Sequence, residues 1–273
     1  MKNVIRSDKG QAMPEKTIKM DKTCFEDGGH TSIYWVGNAG SFINSHGTII
    51  AIDPMLKGFD MPLLVTMPID PMDIPHIDGY LISHIDNDHF SKDTIKDVKD
   101  RTDEFHASHY VASQLEEVCH VNNATGHDIG DEFTIGNMHV KVTPAWHNWQ
   151  NDIKKWQFRE WKREEYCGFW IDTPDGSVWY VGDSRLLDEQ MNMPVDPDVI
   201  LFDFSDNPWH ITFDGAVKLA NRYPNAILIP VHWGTVDGAD YSPFNGDPER
   251  LAKAIVNPER IAVLNIGDKY VLK

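Results

Sequence analysis

The stretch Ser83-His84-Ile85-Asp86-Asn87-Asp88-His89 decides how this chain is read. Four potential metal ligands crowd into it, directly after the apolar run Gly79 to Ser83. A helical pattern at Ser91 to Lys99, with Ser91 as N-cap, follows at once. In an extended turn, side chains two residues apart share a side. His84 and Asp86 can therefore hold one ion, while Asp88 and His89, entering the helix, face a second. An acidic loop with surface histidines is the ordinary reading of any one of these residues, but it accounts poorly for all four together.

Three further candidates each lie just beyond an expected strand. His147 follows Val140 to Thr143, Asp183 follows Trp179-Tyr180-Val181-Gly182, and His232 follows Ile227 to Pro230. Each has a bland alternative: His147 packed among aromatics, Asp183 an N-cap, His232 a core histidine. Strand ends of a sandwich converge on one edge, however, and ligands placed there can meet.

The pattern around them is α/β. Short apolar runs at Ser32 to Val36, Ser41 to Asn44 and Thr48 to Ile52, separated by turn residues, predict a β-meander. Residues 55 to 78 carry four prolines and four methionines, too broken for a helix and too long for a passive connection, so they read as a functional loop. Strand and helix alternate at His106 to Tyr110 and Val111 to Cys119. Strands are expected at Glu132 to Ile135, His139 to Thr143, Gly168 to Asp172 and Ser177 to Val181. Strand Val199 to Phe202, helix Phe213 to Arg222, strand Ala226 to Pro230, helix Pro248 to Ile255 and strand Ile261 to Leu264 complete the order. Residues 1–20 read as a polar N-terminal arm and 21–273 as a single domain with two sheets and outer helices.

Composition excludes several classes of function. The chain has 273 residues, 41% apolar and 25% charged, in the range of ordinary globular proteins. Its net charge of −17 repels phosphate backbones and anionic lipid, which argues against nucleic acid as a partner. No run approaches the ~18 apolar residues of a membrane span, so no membrane insertion is expected, and residues 1–20 lack the apolar segment of a secretory signal. Three cysteines (Cys24, Cys119, Cys167) without a CxxC pair point to a reducing cytoplasm rather than to disulfides or a thiolate site. Thirteen histidines among many aspartates is the one compositional oddity.

The ligand spacing resembles that of the metallo-β-lactamase-fold hydrolases, whose signature H-x-H-x-D-H is followed by a distant His, an Asp and a final His. Asp53 at a strand end, Gly182-Asp183-Ser184 and His232-Trp233-Gly234-Thr235 extend the match over roughly residues 31 to 265. The last run, with Trp209-His210-Ile211-Thr212, is most similar to the branch holding ascorbate-6-phosphate lactonases and N-acyl-phosphatidylethanolamine phospholipase D-like enzymes. The resemblance implies a four-layer αββα sandwich with two divalent ions at one sheet edge. His84, Asp86 and His147 would hold one ion, Asp88, His89 and His232 the other, and Asp183 would bridge them. A water between the ions would be the nucleophile, with Asp88 as catalytic proton shuttle.

Asp86 stands where the signature has its second histidine. A carboxylate there favours Mn²⁺ or Fe²⁺ over Zn²⁺. Asn38 follows Gly37 where relatives often have histidine beside the substrate. Asn38, His210 and Trp149 are the expected substrate neighbours, and Asp53 is expected to orient a ligand histidine. The segment Trp146 to Trp170 reads either as a lid whose Lys154, Lys155, Arg159, Lys162 or Arg163 meets an anionic substrate, or as a helix that packs its tryptophans on the core or on a partner subunit of a homo-oligomer. The expected activity is hydrolysis of a small anionic metabolite, with a phosphorylated sugar-acid lactone as one candidate. A phosphodiesterase, a di-iron redox protein and a non-catalytic metal-binding module are the alternatives.

Overall fold

The computed structural model describes residues 1–272. Its first elements are two short antiparallel strands, β1 (Val4–Arg6) and β2 (Ala12–Pro14). The polar composition of residues 1–20 predicts a solvated arm, yet this hairpin is packed down. Gln11 is buried, and its Nε2 donates to the carbonyls of Val236 (2.9 Å) and Phe244 (3.0 Å). Arg6 pairs with Asp247 and Glu249. Gly234 closes the contact, since a Cβ there would lie 2.7 Å from Met13 Cα. Polar side chains here satisfy the loop after His232 rather than water.

The next strands, β3 (Thr31–Gly37), β4 (Gly40–Ser45) and β5 (Thr48–Ile52), form the expected meander. They are followed by β6 (Ile77–Ile82), α1 (Lys92–Val98), β7 (Thr102–Ser108), α2 (His109–Cys119) and β8 (Ala124–His127). Ser108 Oγ accepts from Val111 N–H and so ends β7 and starts α2 earlier than expected. Next come β9 (Glu132–Ile135), β10 (Met138–Pro144), β11 (Cys167–Thr173), β12 (Gly176–Tyr180), α3 (Asp188–Met191) and β13 (Val199–Asp203). The chain continues through α4 (Phe213–Arg222), β14 (Ile227–Val231), α5 (Pro248–Ala252) and β15 (Lys269–Val271). One sheet has the order β15-β3-β4-β5-β6-β7-β8, the other β14-β13-β12-β11-β10-β9.

Period-two alternation explains the layering. Ile33, Trp35, Ile50 and Leu81 face the second sheet, where Val140, Phe169, Ile171 and Tyr180 meet them. Tyr34, Val36, Ala51, Tyr80 and Ile82 face the other way, onto Ile95 and Val98 of α1 and Val111 and Leu115 of α2. Ala216, Leu219 and Tyr223 of the α4 region join the core of the second sheet, with the Tyr223 ring 5.8 Å from Trp179. The result is the expected four-layer αββα sandwich.

One expected strand is absent. Ile261 to Leu264 makes a single bridge to Leu228, and the buried Arg260 beside it donates to the carbonyls of Ala220, Tyr223 and Ala226. The strand that closes the first sheet is instead β15, antiparallel to β3. Strands β5 and β6 run parallel, as do β12, β13 and β14, and β10 is two antiparallel steps from β12. Their C-terminal ends carry Asp53, His84 to His89, His147, Asp183, Asp203 and His232 toward the same edge.

Candidate metal centre

Backbone conformation at this edge departs from the ordinary. Asn38, Asp53, Thr212 and His232 all have positive φ (45°, 44°, 61° and 61°), a region that costs a non-glycine residue free energy and that gathers at functional sites.

The four imidazoles share one pattern. Nδ1 of His89 meets Asp53 Oδ2 at 2.8 Å, and Nδ1 of His147 meets the Trp209 carbonyl at 2.9 Å. Nδ1 of His232 meets the Pro243 carbonyl at 2.7 Å, and Nδ1 of His84 meets Ser83 Oγ at 3.0 Å. With Nδ1–H donating outward, each Nε2 is left as the free lone pair, and all four turn inward to carboxylates. His84 Nε2 and His147 Nε2 lie 3.3 and 3.4 Å from Asp86 Oδ2. His89 Nε2 and His232 Nε2 lie 3.1 and 3.2 Å from Asp183 Oδ2, and His232 Nε2 is 3.0 Å from Asp88 Oδ2. Ligand atoms around an ion at roughly 2.1 Å in a tetrahedron stand about 3.4 Å apart, so these spacings fit divalent metal. The groups His84–Asp86–His147, His84–His89–Asp183 and Asp88–His89–His232 each bring their ligand atoms within 4.8 Å of one another. His84 Nε2 is buried and makes no hydrogen bond although it lies 3.3 Å from Asp86 Oδ2, as suits a lone pair that shares a cation with that carboxylate.

Electrostatics point the same way. Burial disfavours charge on His89 and His232, yet Asp183 and the neighbouring carboxylates outweigh it and push both imidazoles well above their ordinary values. Burial likewise opposes ionisation of Asp183, and His232, His89 and His210 outweigh it and hold that carboxyl well below the usual range. Asp88 is held down at about 2 against its own burial by His89 and His232. The buried carboxylates thus call for positive charge at this edge, of the kind divalent ions supply.

The positions of the other expected residues are mixed. Asp53 is fully buried and accepts from Ser83 N (2.9 Å), Ser83 Oγ (2.5 Å), His89 Nδ1 and Tyr180 OH (2.7 Å). Asn38 does not reach the cavity. It lies buried behind Asp88, its Nδ2 donating to Asp88 Oδ2 at 3.1 Å and its carbonyl accepting from His232 N at 2.8 Å. A turn this tight at Gly37-Asn38 places the side chain under the carboxylate instead of above it. Trp149 does line the cavity, and its Nε1 donates to Asp86 Oδ2 at 2.7 Å, while Gln150 Nε2 donates to Asp86 Oδ1 at 2.7 Å. His210 lines it too, its Nδ1 in a short bond to Asp203.

Asp203, Gln150 and Tyr166, whose OH donates to Gln150 Oε1 at 2.9 Å, were not legible as site residues. Asp203 did carry a signal, for it ends a strand as Asp53 and Asp183 do.

The cavity over the centre measures about 620 Å³. Its sides come from the proline-rich loop (Phe59, Met61), the Trp-rich segment (Trp149, Trp156, Trp161) and Phe244. The cations of residues 146–170 face elsewhere. Arg159 makes two hydrogen bonds to Glu165 (2.7 and 3.0 Å) and stacks on Tyr110 and Trp161. Arg163 pairs with Glu189, and neither they nor Lys154, Lys155 and Lys162 line the cavity. Glutamates or aromatic faces stand beside Lys155, Arg159, Lys162 and Arg163 instead.

Comparison with known proteins agrees with this fold. A family model described as a beta-lactamase superfamily domain matches residues 48–233. A UPF0173 metal-dependent hydrolase of Carboxydothermus hydrogenoformans is 27% identical over 252 residues, covering 88% of this chain and 99% of that protein. Igni18, a metallo hydrolase of Ignicoccus hospitalis, superposes with a TM-score of 0.69 at 17% identity over 89% of this chain and 98% of its own. The isothiocyanate hydrolase of Delia radicum gut bacteria has a TM-score of 0.69 at 15% identity, over 89% of this chain and 100% of its own.

Proposed function

Because the chain belongs to the metallo-β-lactamase superfamily, we propose that it is a metal-dependent hydrolase with two divalent ions at the edge described above. The observation that carries this reading is the set of four imidazoles tethered through Nδ1, with every Nε2 turned to Asp86, Asp88 or Asp183. His84, Asp86 and His147 would hold one ion and Asp88, His89 and His232 the other, with Asp183 shared. Divalent metal held by these residues would supply Lewis-acid activation of water and charge for a developing oxyanion.

The chain's own residues supply the rest. Asp53 fixes His89 in the tautomer that leaves Nε2 free, and the Trp209 and Pro243 carbonyls do the same for His147 and His232. Asn38 holds Asp88 Oδ2, which leaves Oδ1 to take a proton and return it to the leaving group. Trp149 and Gln150 clamp Asp86, so the aromatic wall and the ligand move as one body. The carboxylate of Asp86 favours Mn²⁺ or Fe²⁺ over Zn²⁺.

The test is removal and return of metal. Chelator-stripped protein should lose hydrolysis of activated esters and regain it in proportion to added Mn²⁺. Hydrolysis that survives complete stripping would overturn the reading.

A further inference from the structure

The walls of the cavity say more about the substrate than the metal ligands do. Trp149 and Trp156 meet edge to face, their ring centroids 5.9 Å apart at 77°, and Phe59 and Phe244 do so at 6.2 Å and 75°. Trp161 and Trp209 add two more aromatic surfaces, and all six residues line the same space. Among the described residues Lys92 is the one lysine or arginine that lines it. The arginine nearest in sequence to the wall, Arg159, is neutralised by Glu165 and faces Tyr110.

The floor adds carboxylates, since Asp86, Asp88 and Asp183 line the cavity beneath these aromatic faces. A phosphate or carboxylate placed against the indole and phenyl faces, away from the ions and from Lys92, would lose hydration there with no cation to replace it. A flat apolar group placed there buries its surface between aromatic faces, where offset and edge contacts add to the gain.

We propose that this cavity takes a small neutral electrophile carrying an aryl or bulky alkyl group, of the kind represented by an aryl ester or an apolar lactone, and not a phosphorylated metabolite. The ligand class stands on the cavity walls, while its hydrolysis rests on the reading of the metal centre given above. In that hydrolysis the oxygen of water bonds to the acyl carbon, the acyl carbon–oxygen bond breaks, and the proton from water goes to the departing oxygen. Acid and alcohol are the products.

The experiment pairs two ligands with the same ring system. Metal-loaded protein is titrated in a calorimeter with 2-naphthol and with 6-hydroxynaphthalene-2-sulfonate, which adds one anionic group that ligates metal weakly. The neutral ligand should bind at least roughly tenfold more tightly. Trp156→Ala should weaken 2-naphthol by about tenfold, since it removes one face of the wall, and Trp156→Phe should restore most of that loss. Sulfonate binding as tight as naphthol, or naphthol binding unchanged by Trp156→Ala, would overturn the assignment. Turnover of 2-naphthyl acetate is measured separately. Naphthol binding without any turnover would uphold the ligand class and count against the hydrolase reading, and absence of naphthol binding would overturn the ligand class whatever the turnover.

Discussion

Asp53 is the position where a single atom exchange separates a positioning role from a merely structural one. Its Oδ2 accepts from Ser83 Oγ, His89 Nδ1 and Tyr180 OH, and its Oδ1 accepts from Ser83 N. Asp53→Asn keeps the shape and, with its oxygen at the Oδ1 position, keeps the bond to Ser83 N. It places an amide N–H₂ against His89 Nδ1, where donor would face donor. The two hydroxyls can rotate, but the imidazole can only relocate its proton, and the favoured tautomer then carries hydrogen on Nε2. That removes the lone pair facing Asp183 and Asp88. Changes of this kind behind a metal-bound histidine cost 10–100-fold in metal affinity, or roughly 1.4–2.7 kcal/mol. Asp53→Ala strands several buried donors at ~1–3 kcal/mol each, so it should lower Tm far more than Asn does. Chelator competition with Mn²⁺ reads the affinity, and calorimetry of metal-free protein reads the stability. Asn should weaken one of two ions by that factor with a small fall in Tm. An affinity within about twofold of wild type would refute the role assigned to Asp53.

Asp86→His should shift metal preference from Mn²⁺ toward Zn²⁺, since imidazole is the softer ligand; competition between the two ions for each protein measures it, and an unchanged ratio would mean Asp86 touches no metal. Gly168→Ala should destabilise the chain by at least ~1–3 kcal/mol in urea unfolding, because the new Cβ would stand 2.5 Å from the carbonyl oxygens of Tyr180 and Val181, which β-sheet pairing holds in place. His106, buried and hydrogen-bonded to His127, is pushed down to about 4 by burial and by that neighbour. The unfolded chain therefore binds the extra proton first, and stability is full above about pH 6.5 and falls by up to roughly 3 kcal/mol as pH drops toward 4. Wild type and His106→Gln unfolded at pH 7.5 and 5 should differ in that slope, with Glu104, His109 and Asp131 as the other charged groups nearby; identical slopes would exclude His106 as the cause.

Much of the edge was legible because strand-end chemistry is local. Buried runs such as Gly79 to Ile82 end where His84 to His89 begin, and a strand that stops at a crowded edge leaves its next polar residues there. Asp203 obeys the same rule, but no motif surrounds it to mark it as part of the site. What remained hidden depends on contacts distant in sequence. Gln11 is buried only because Val236 and Phe244 present carbonyls to it. Asn38 lies under Asp88 rather than over the cavity because Thr235 and His232 hold its backbone. The charges of Arg159 and Arg163 looked free for a substrate until Glu165 and Glu189 were placed beside them.

The most direct test of the account is the metal content of the purified protein. Elemental analysis of metal-replete protein should find close to two divalent ions per chain, and His89→Ala should bind fewer and lose most hydrolysis. At most one ion per chain in wild type, with hydrolysis intact, would contradict it.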